Sequence, residues 1–239
     1  MKNRLEKDIK LLTASCDNTA VLSIPYIFML FTDLATEHAP QIKLGADDLA
    51  EKGVFWVTTK TKVQIYKRPK MQDTVTASTW PEKPGRIRCN RYYTLNDDSG
   101  ILVAGKSEWA IIDKEGHLHK TSEVYPEGLV HCEDVVCSDP FSRISDDFSD
   151  CTVLGTYKIR STDIDLAQHM NNAAYIRVLF GAFTCKELEE MNIQEVEIAF
   201  KAQSYEGDTL TIKERKTENS REFAMIRSDG IIAATIIIK

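Results

Sequence analysis

Thr162-Asp163-Ile164-Asp165-Leu166-Ala167-Gln168-His169-Met170-Asn171-Asn172 runs directly into Ala173-Ala174-Tyr175-Ile176-Arg177-Val178-Leu179-Phe180-Gly181-Ala182-Phe183. The first part is polar, with two carboxylates, a histidine and two asparagines. In the second, Tyr175, Ile176, Leu179, Phe180 and Phe183 recur at helical spacing, which predicts a helix with one apolar face. Asn171 or Asn172 suits the N-cap. His169 and Asp165 then stand close to the start of a largely buried helix, where unpaired backbone N–H groups and the helix dipole favour negative charge. A general base beside such an oxyanion site is the minimum that acyl transfer requires. Alone, the same residues read better as caps and an ordinary polar histidine; the rest of the chain reverses that.

Around this stretch the pattern is strand, helix, strands. Residues 154–161 alternate as a strand, and the helix is expected over 173–189. A long strand over 192–205 follows, then strands over 209–216, 222–227 and 231–239, separated by Glu206-Gly207-Asp208, residues 217–221 and Ser228-Asp229-Gly230. The first half has the same plan. A strand is expected over 5–16. A helix over 21–39 carries Ile24, Ile27, Phe28, Phe31 and Leu34 on one face, with Pro25 in its first turn. Strands over 54–66, 74–80, 86–95 and 101–113 follow. Residues 117–150, with Pro126, Gly128, Pro140 and an acidic run, lose all periodicity and read as a surface linker.

Two local echoes support a duplication: Tyr26-Ile27 with Tyr175-Ile176, and Gln72-Asp73-Thr74-Val75 with Gly207-Asp208-Thr209-Leu210. The fold expected is α+β: two tandem, strongly curved antiparallel sheets, each wrapped around one long helix. The domains are expected at 1–116 and 151–239, joined by 117–150. Aligning Tyr26 on Tyr175 sets Ala20 opposite His169 and Cys16 opposite Asp165, so one half carries the polar constellation and the other supplies shape.

Composition narrows the function classes. The chain has 239 residues, 43% hydrophobic and 28% charged, as expected of a globular protein. A net charge of −6 counts against a general nucleic-acid binder. No apolar run reaches the ~18 residues that span a bilayer, and no secretory signal is visible, so a cytoplasmic location is expected. Six scattered cysteines without a CxxC pair read as free thiols, and His131, Cys132 and Cys137 fit no zinc spacing. Cys185 has no base placed beside it by sequence and is not expected to be a nucleophile.

Nearly the whole chain resembles the acyl-acyl carrier protein thioesterases of the bacterial and plant plastid type. In the first half the resemblance rests on residues 31–39 followed by Leu44-Gly45, on Trp56-Val57, Arg68-Pro69 and Thr79-Trp80-Pro81, and on Arg91-Tyr92-Tyr93 and Ser107-Glu108-Trp109. In the second half it rests on Asp163-Ile164-Asp165 with residues 169–175, which are similar to the family's Asp-x-Asp-x-Asn-x-His-Val-Asn-Asn block. Two positions depart: Ala167 stands where the family usually has Asn, and Gln203 where it usually has Glu on a strand.

The resemblance implies a double hotdog fold and hydrolysis of fatty acyl-acyl carrier protein thioesters to free fatty acid, ending chain elongation. It implies His169 as general base, alone or shared with Asp165, a water positioned by Gln203, and backbone N–H groups at Asn171 and Asn172 on the thioester oxygen. An apolar slot in the first domain would hold the chain, with Trp56, Ile24, Phe28 and Phe31 as candidate walls. The implied partner is the acidic acyl carrier protein with its phosphopantetheine arm, met by Lys60, Lys62, Lys67, Arg68 and Lys70 or by Arg86, Arg88 and Arg91. No cofactor and no metal is expected. Two alternatives stay open: an acyl-CoA thioesterase, and a binding module that has lost hydrolysis through Ala167 and Gln203. Monomer and homodimer also both stay open.

Overall fold

The computed structural model of the chain describes residues 3–239; Met1 and Lys2 of the expected first domain lie outside them. The chain divides into two compact units between Asp139 and Pro140.

The first unit opens with β1 (Leu5–Lys10), followed by a 3-10 turn over Thr13–Ser15. The strand expected over 5–16 therefore stops early, because the Ser15 hydroxyl folds back onto the Leu12 carbonyl at 2.7 Å. Next comes α1 (Ile24–His38), capped by the Ser23 hydroxyl on the Tyr26 N–H, with Pro25 in its first turn where no amide donor is needed. A short α2 (Ala46–Ala50) leads to β2 (Val54–Ile65), β3 (Thr74–Pro81), β4 (Arg88–Asp97) and β5 (Gly100–Asp113). These strands pair antiparallel in the order β1-β3-β4-β5-β2. Ile24, Ile27, Phe28, Phe31 and Leu34 are all buried. The Phe31 ring stacks on Tyr93 of β4 at 4.4 Å between centroids. It also lies against Gly105 of β5, where a Cβ would run into the ring. A residue without a side chain at 105 therefore sets how close α1 comes to the sheet.

The second unit contains β6 (Thr152–Lys158), a 3-10 turn over Ser161–Asp163, α3 (Asn172–Phe180), α4 (Cys185–Glu190), β7 (Glu195–Phe200), β8 (Thr209–Lys216), β9 (Arg221–Arg227) and β10 (Ile232–Ile238). Its antiparallel order is β7-β10-β9-β8-β6. In α3 only Asn172 and Arg177 escape full burial, and Tyr175 meets Phe200 of β7 edge to face at 5.8 Å.

Three further expectations change. The helix expected over 173–189 is two helices: α3 ends at Phe180 with Gly181 as its C-cap, and Thr184 caps α4 reciprocally with Glu187. The strand expected over 192–205 ends at Phe200. The Lys201 and Ala202 amides both turn to the Ala233 carbonyl, and 203–208 is a loop. Residues 117–150 divide between the units. In the first, Val124 is buried with Ile42, Leu44 and Ile111, and the Trp80 indole holds the Asp134 carbonyl at 2.8 Å. In the second, Phe148 is buried beneath the Arg215 guanidinium, 4.6 Å from its ring centre. Among the described residues no helix is long and apolar enough to cross a membrane.

Candidate active site

The loop between the 3-10 turn and α3 is built by backbone bonds. The Asp165 amide donates to the His169 carbonyl (3.1 Å), the Gln168 amide to the Asp165 carbonyl (3.0 Å), and the Asn171 amide to the Asp163 carbonyl (2.8 Å). Gln168 takes a left-handed conformation, φ 64°, to close the turn. The Asp165 carboxylate also accepts from the Ala167 amide at 2.8 Å. One buried group anchors the base of the loop. Asp163, 1% exposed, accepts from the Tyr157 hydroxyl and the Arg160 amide, each at 2.8 Å, and pairs with Arg177 of α3. Sequence reasoning passed over Asp163 as a functional support. The signal was present in Arg177, whose charge interrupts an otherwise apolar helix.

This scaffold brings Asp165 and His169 together. The imidazole Nδ1 is 3.9 Å from Asp165 Oδ1, too long for a hydrogen bond but within ion-pair range, and both side chains are partly exposed, 25% and 29%. Asn171 is the N-cap, its side chain accepting from the Ala173 amide at 2.8 Å. Its own amide is committed to Asp163, so Asn171 is corrected as an oxyanion donor. The Asn172 amide donates to no protein acceptor among the described residues. The Met170 amide bonds the Ser204 carbonyl at 2.8 Å, which sets residues 203–205 beside 169–171. Gln203 is exposed on the loop rather than on a strand. Its side-chain oxygen accepts from the Tyr205 hydroxyl (2.8 Å) and its carbonyl from Arg227 (2.7 Å).

The first unit contains the same loop, bond for bond. The Asp17 amide donates to Val21 (3.0 Å), the Ala20 amide to Asp17 (3.0 Å), the Ser23 amide to Ser15 (2.9 Å) and the Leu22 amide to Pro69 (2.8 Å). Ala20 has the left-handed turn, φ 57°. The correct correspondence is therefore one residue off the alignment on tyrosines: Asp17 matches Asp165, Val21 matches His169, and Arg68 matches Gln203. Because both copies hold the left-handed residue, that backbone conformation belongs to the scaffold and not to chemistry. What differs is the side chains. Asp17 is ion-paired with Arg68, whose Nε also reaches the Leu22 carbonyl at 2.7 Å. Burial raises the Asp17 carboxyl, but bonds from Thr19 and Arg68 outweigh it and hold it below the usual range. No imidazole stands there.

A cavity of about 550 Å³ lies in the first unit, beside the last turn of α1, and is lined by Ala35, Leu44, Val54, Trp56, Trp109 and Tyr125 among others. Trp56 is fixed by its indole on the Leu44 carbonyl (3.0 Å) and by edge-to-face contacts with Trp109 and Tyr125. Of the four expected wall residues, Trp56 alone lines this cavity. Ile24, Phe28 and Phe31 do not, because their spacing turns them into the core between α1 and the sheet. Arg91 and Cys89 also reach the wall. Arg91 is bonded to His38 and Thr79, and burial pushes the Cys89 thiol up to about 11.

The expected basic run is not one open face. Lys62 is buried, Lys60 is partly buried, and Arg68 is engaged with Asp17 and Leu22. Lys67 is exposed. A period-two strand sends Lys60 and Lys62 to one side together, so a charge count along the chain overstates what solvent sees.

Comparison with known proteins accounts for this architecture. Residues 2–129 match the acyl-ACP thioesterase N-terminal domain, and residues 150–239 match the acyl-ACP thioesterase C-terminal domain. The chain is 25% identical over 224 residues to an oleoyl-acyl carrier protein thioesterase 2 of Arabidopsis thaliana, covering 82% of this chain and 59% of the relative. It is 26% identical over 190 residues to an acyl-[acyl-carrier-protein] hydrolase of Cuphea viscosissima, covering 74% and 46%. The chain thus spans only about half to three-fifths of the length of these relatives. Two solved structures share the fold. One is an acyl-ACP thioesterase of Bacteroides thetaiotaomicron (TM-score 0.87, 20% identity, 99% of this chain and 97% of that one). The other is a 12:0-ACP thioesterase of Umbellularia californica (TM-score 0.81, 16% identity, 100% and 97%). With both domains matched in sequence order and the fold shared end to end, the chain belongs to the acyl-ACP thioesterase family.

Proposed function

We propose that this chain hydrolyses fatty acyl-acyl carrier protein thioesters to free fatty acid, with Asp165 and His169 as its catalytic pair. One observation carries the reading. Two copies of a single loop have the same backbone bonds, yet only one offers a partly exposed carboxylate and imidazole 3.9 Å apart, while the other neutralises its carboxylate with Arg68 and places Val21 at the imidazole position. Family membership supports the reaction class.

In this reading His169 takes a proton from water as the water's oxygen bonds to the thioester carbon. Asp165 favours the imidazolium that results. The oxyanion is held by the Asn172 amide at the start of α3. Collapse then breaks the C–S bond, and the imidazolium returns its proton to the phosphopantetheine thiolate. Gln203 can donate or accept a hydrogen bond to the water but cannot take its proton. The cavity around Trp56 is the proposed acyl-chain pocket, and Lys67 the proposed contact for the acidic carrier. Each unit is read as a hotdog, its sheet curved around α1 or α3.

The test is release of free fatty acid by the purified chain from acyl-acyl carrier protein and, in parallel, from acyl-CoA. Turnover on the carrier substrate should fall by at least about 100-fold in Asp165→Asn and in His169→Ala, with unchanged melting temperatures. Near-parental turnover in both variants would overturn the assignment. A second reading, a binding module without turnover, is favoured by the amide at Gln203 and the missing side-chain polarity at Ala167; carrier binding with no acid released would establish it.

A further inference from the structure

The sequence groups Arg91 with Arg86 and Arg88 as a surface run, but the structure buries it, 7% exposed. On β4, Cys89, Arg91 and Tyr93 alternate onto one face, the face on which Tyr93 meets Phe31 of α1. Arg91 Nη1 bonds His38 Nδ1 at the end of α1 (3.0 Å) and donates to Thr79 Oγ1 of β3 (3.3 Å). A guanidinium can only donate, so this ring nitrogen accepts, carries no proton and leaves His38 neutral. Both bonds leave from Nη1. The edge formed by Nε and Nη2 therefore donates to no protein acceptor among the described residues. The acidic groups that act on Arg91 are the Tyr93 and Tyr125 hydroxyls and the Cys89 thiol, with no carboxylate among them. Burial keeps all three protonated: the thiol is pushed up to about 11, and both phenols are raised. Arg91 is also part of the wall of the cavity that Trp56 and Trp109 line. That wall is exposed at Gly53, Phe55 and Lys114 and buried at Arg91 and Cys89, so Arg91 stands on the closed side.

We infer that this cavity binds an aliphatic chain that ends in a carboxylate, with the carboxylate on the Nε and Nη2 edge of Arg91 and the chain along Trp56 and Trp109. The inference rests on the reading of the cavity as an acyl-chain pocket and gives that pocket a charged end. A chain ending in a methyl group asks only for apolar walls. A buried cation whose partners are all neutral carries a desolvation cost that two neutral bonds do not offset. A carboxylate supplies the missing charge, and Nε with Nη2 present the paired donors that take both of its oxygens. A hydroxyl end fills the same space with no charge. The volume, about 550 Å³, is that of a small-molecule pocket. The carboxylate has two sources. A free fatty acid, the product of the proposed reaction, would enter head first and hold the pocket against the next substrate. An acyl thioester with a carboxyl at its far end would place the same group there during turnover.

Trp56 and Trp109 line the cavity, so intrinsic fluorescence reports its occupancy. The purified full chain is titrated with decanoate and, separately, with decan-1-ol. Decanoate should bind at least about 10-fold more tightly than the alcohol, the factor that hydrogen bonds to a charged group supply. Arg91→Gln should bind the two alike. Arg91→Lys keeps the charge without the fork and should fall between. Equal binding of acid and alcohol by the parent would overturn the site, and so would a preference for the acid that survives in Arg91→Gln. The parent comparison needs no variant to fold. Two further arms separate the sources. Competitive inhibition of acid release by decanoate, relieved in Arg91→Gln, assigns the product. A lower KM for the carrier thioester of decanedioate than for that of decanoate assigns the substrate. Binding needs no turnover, so the two readings fail separately: a chain that prefers decanoate but releases no acid loses the catalytic pair and keeps this site, and acid release without the preference does the reverse.

Discussion

Val21 and His169 occupy one position in two copies of the same loop, and so do Asp17 and Asp165. The difference in chemistry therefore rests on a few side chains. Arg68 pairs with Asp17 and ties it to the backbone at Leu22, whereas Gln203, at the matching place, carries no charge and leaves Asp165 available to His169. The pairing has a pH signature. The Asp17 carboxyl is held below its ordinary 3.8, so its stabilisation is present above that value and is lost as pH falls through the lower, folded one. Arg68→Met should accordingly lower the melting temperature near neutral pH, with the gap to the parent closing as an acid melting series falls through the lowered Asp17 titration. A gap that stays constant with pH would mean the guanidinium acts by packing alone. At the two departures from the family pattern, Ala167→Asn with Gln203→Glu should raise acid release several-fold in a steady-state assay, because an ionised carboxylate can share the proton that an amide cannot.

In the proposed reaction helix α3 serves two demands at once: it is buried nearly all round, and its first turn stays open to the thioester oxygen. Asn171 reconciles them by spending its side chain on the Ala173 amide and its own amide on Asp163, which leaves Asn172 as the open donor. Asn171→Ala should cost about 0.5–2 kcal/mol in denaturant unfolding and reduce kcat more than KM, since a frayed first turn misplaces the donor. Ser23→Ala, the matching cap of α1, should cost a similar stability with kcat retained. At this scale the sequence was legible wherever period and punctuation agree. β8 over Thr209–Lys216 stands where alternation puts it, and Pro25 marks the start of α1. It was less legible where a local bond competes with period. The Thr184 and Glu187 cap cuts a long helix in two, and the Ala233 carbonyl ends β7 before Gln203.

For the molecule as a whole, a net charge of −6 opposes an acidic partner at long range, so the proposed carrier recognition must be local. With Lys62 buried and Arg68 engaged, Lys67 is an exposed member of the expected run. Lys67→Glu should raise KM for the acyl carrier substrate several-fold at low salt, with kcat unchanged, and the difference should shrink above about 0.5 M salt, where the Debye length falls to a few ångströms. An unchanged KM at low salt would send the docking surface elsewhere.

The sequence by itself determined the duplicated strand, helix and sheet plan and the approach of Asp165 to His169 across a short loop, because periodicity, turn chemistry and close spacing are all local properties; the family was legible through the resemblance of its motifs. Which of the two aspartates is neutralised, which amide at the start of α3 stays open, and which apolar residues line a cavity rather than fill the core were decided only by the tertiary structure. Each of these depends on a partner brought close by folding, such as Arg68 to Asp17, 51 residues away, and no window of sequence contains that partner.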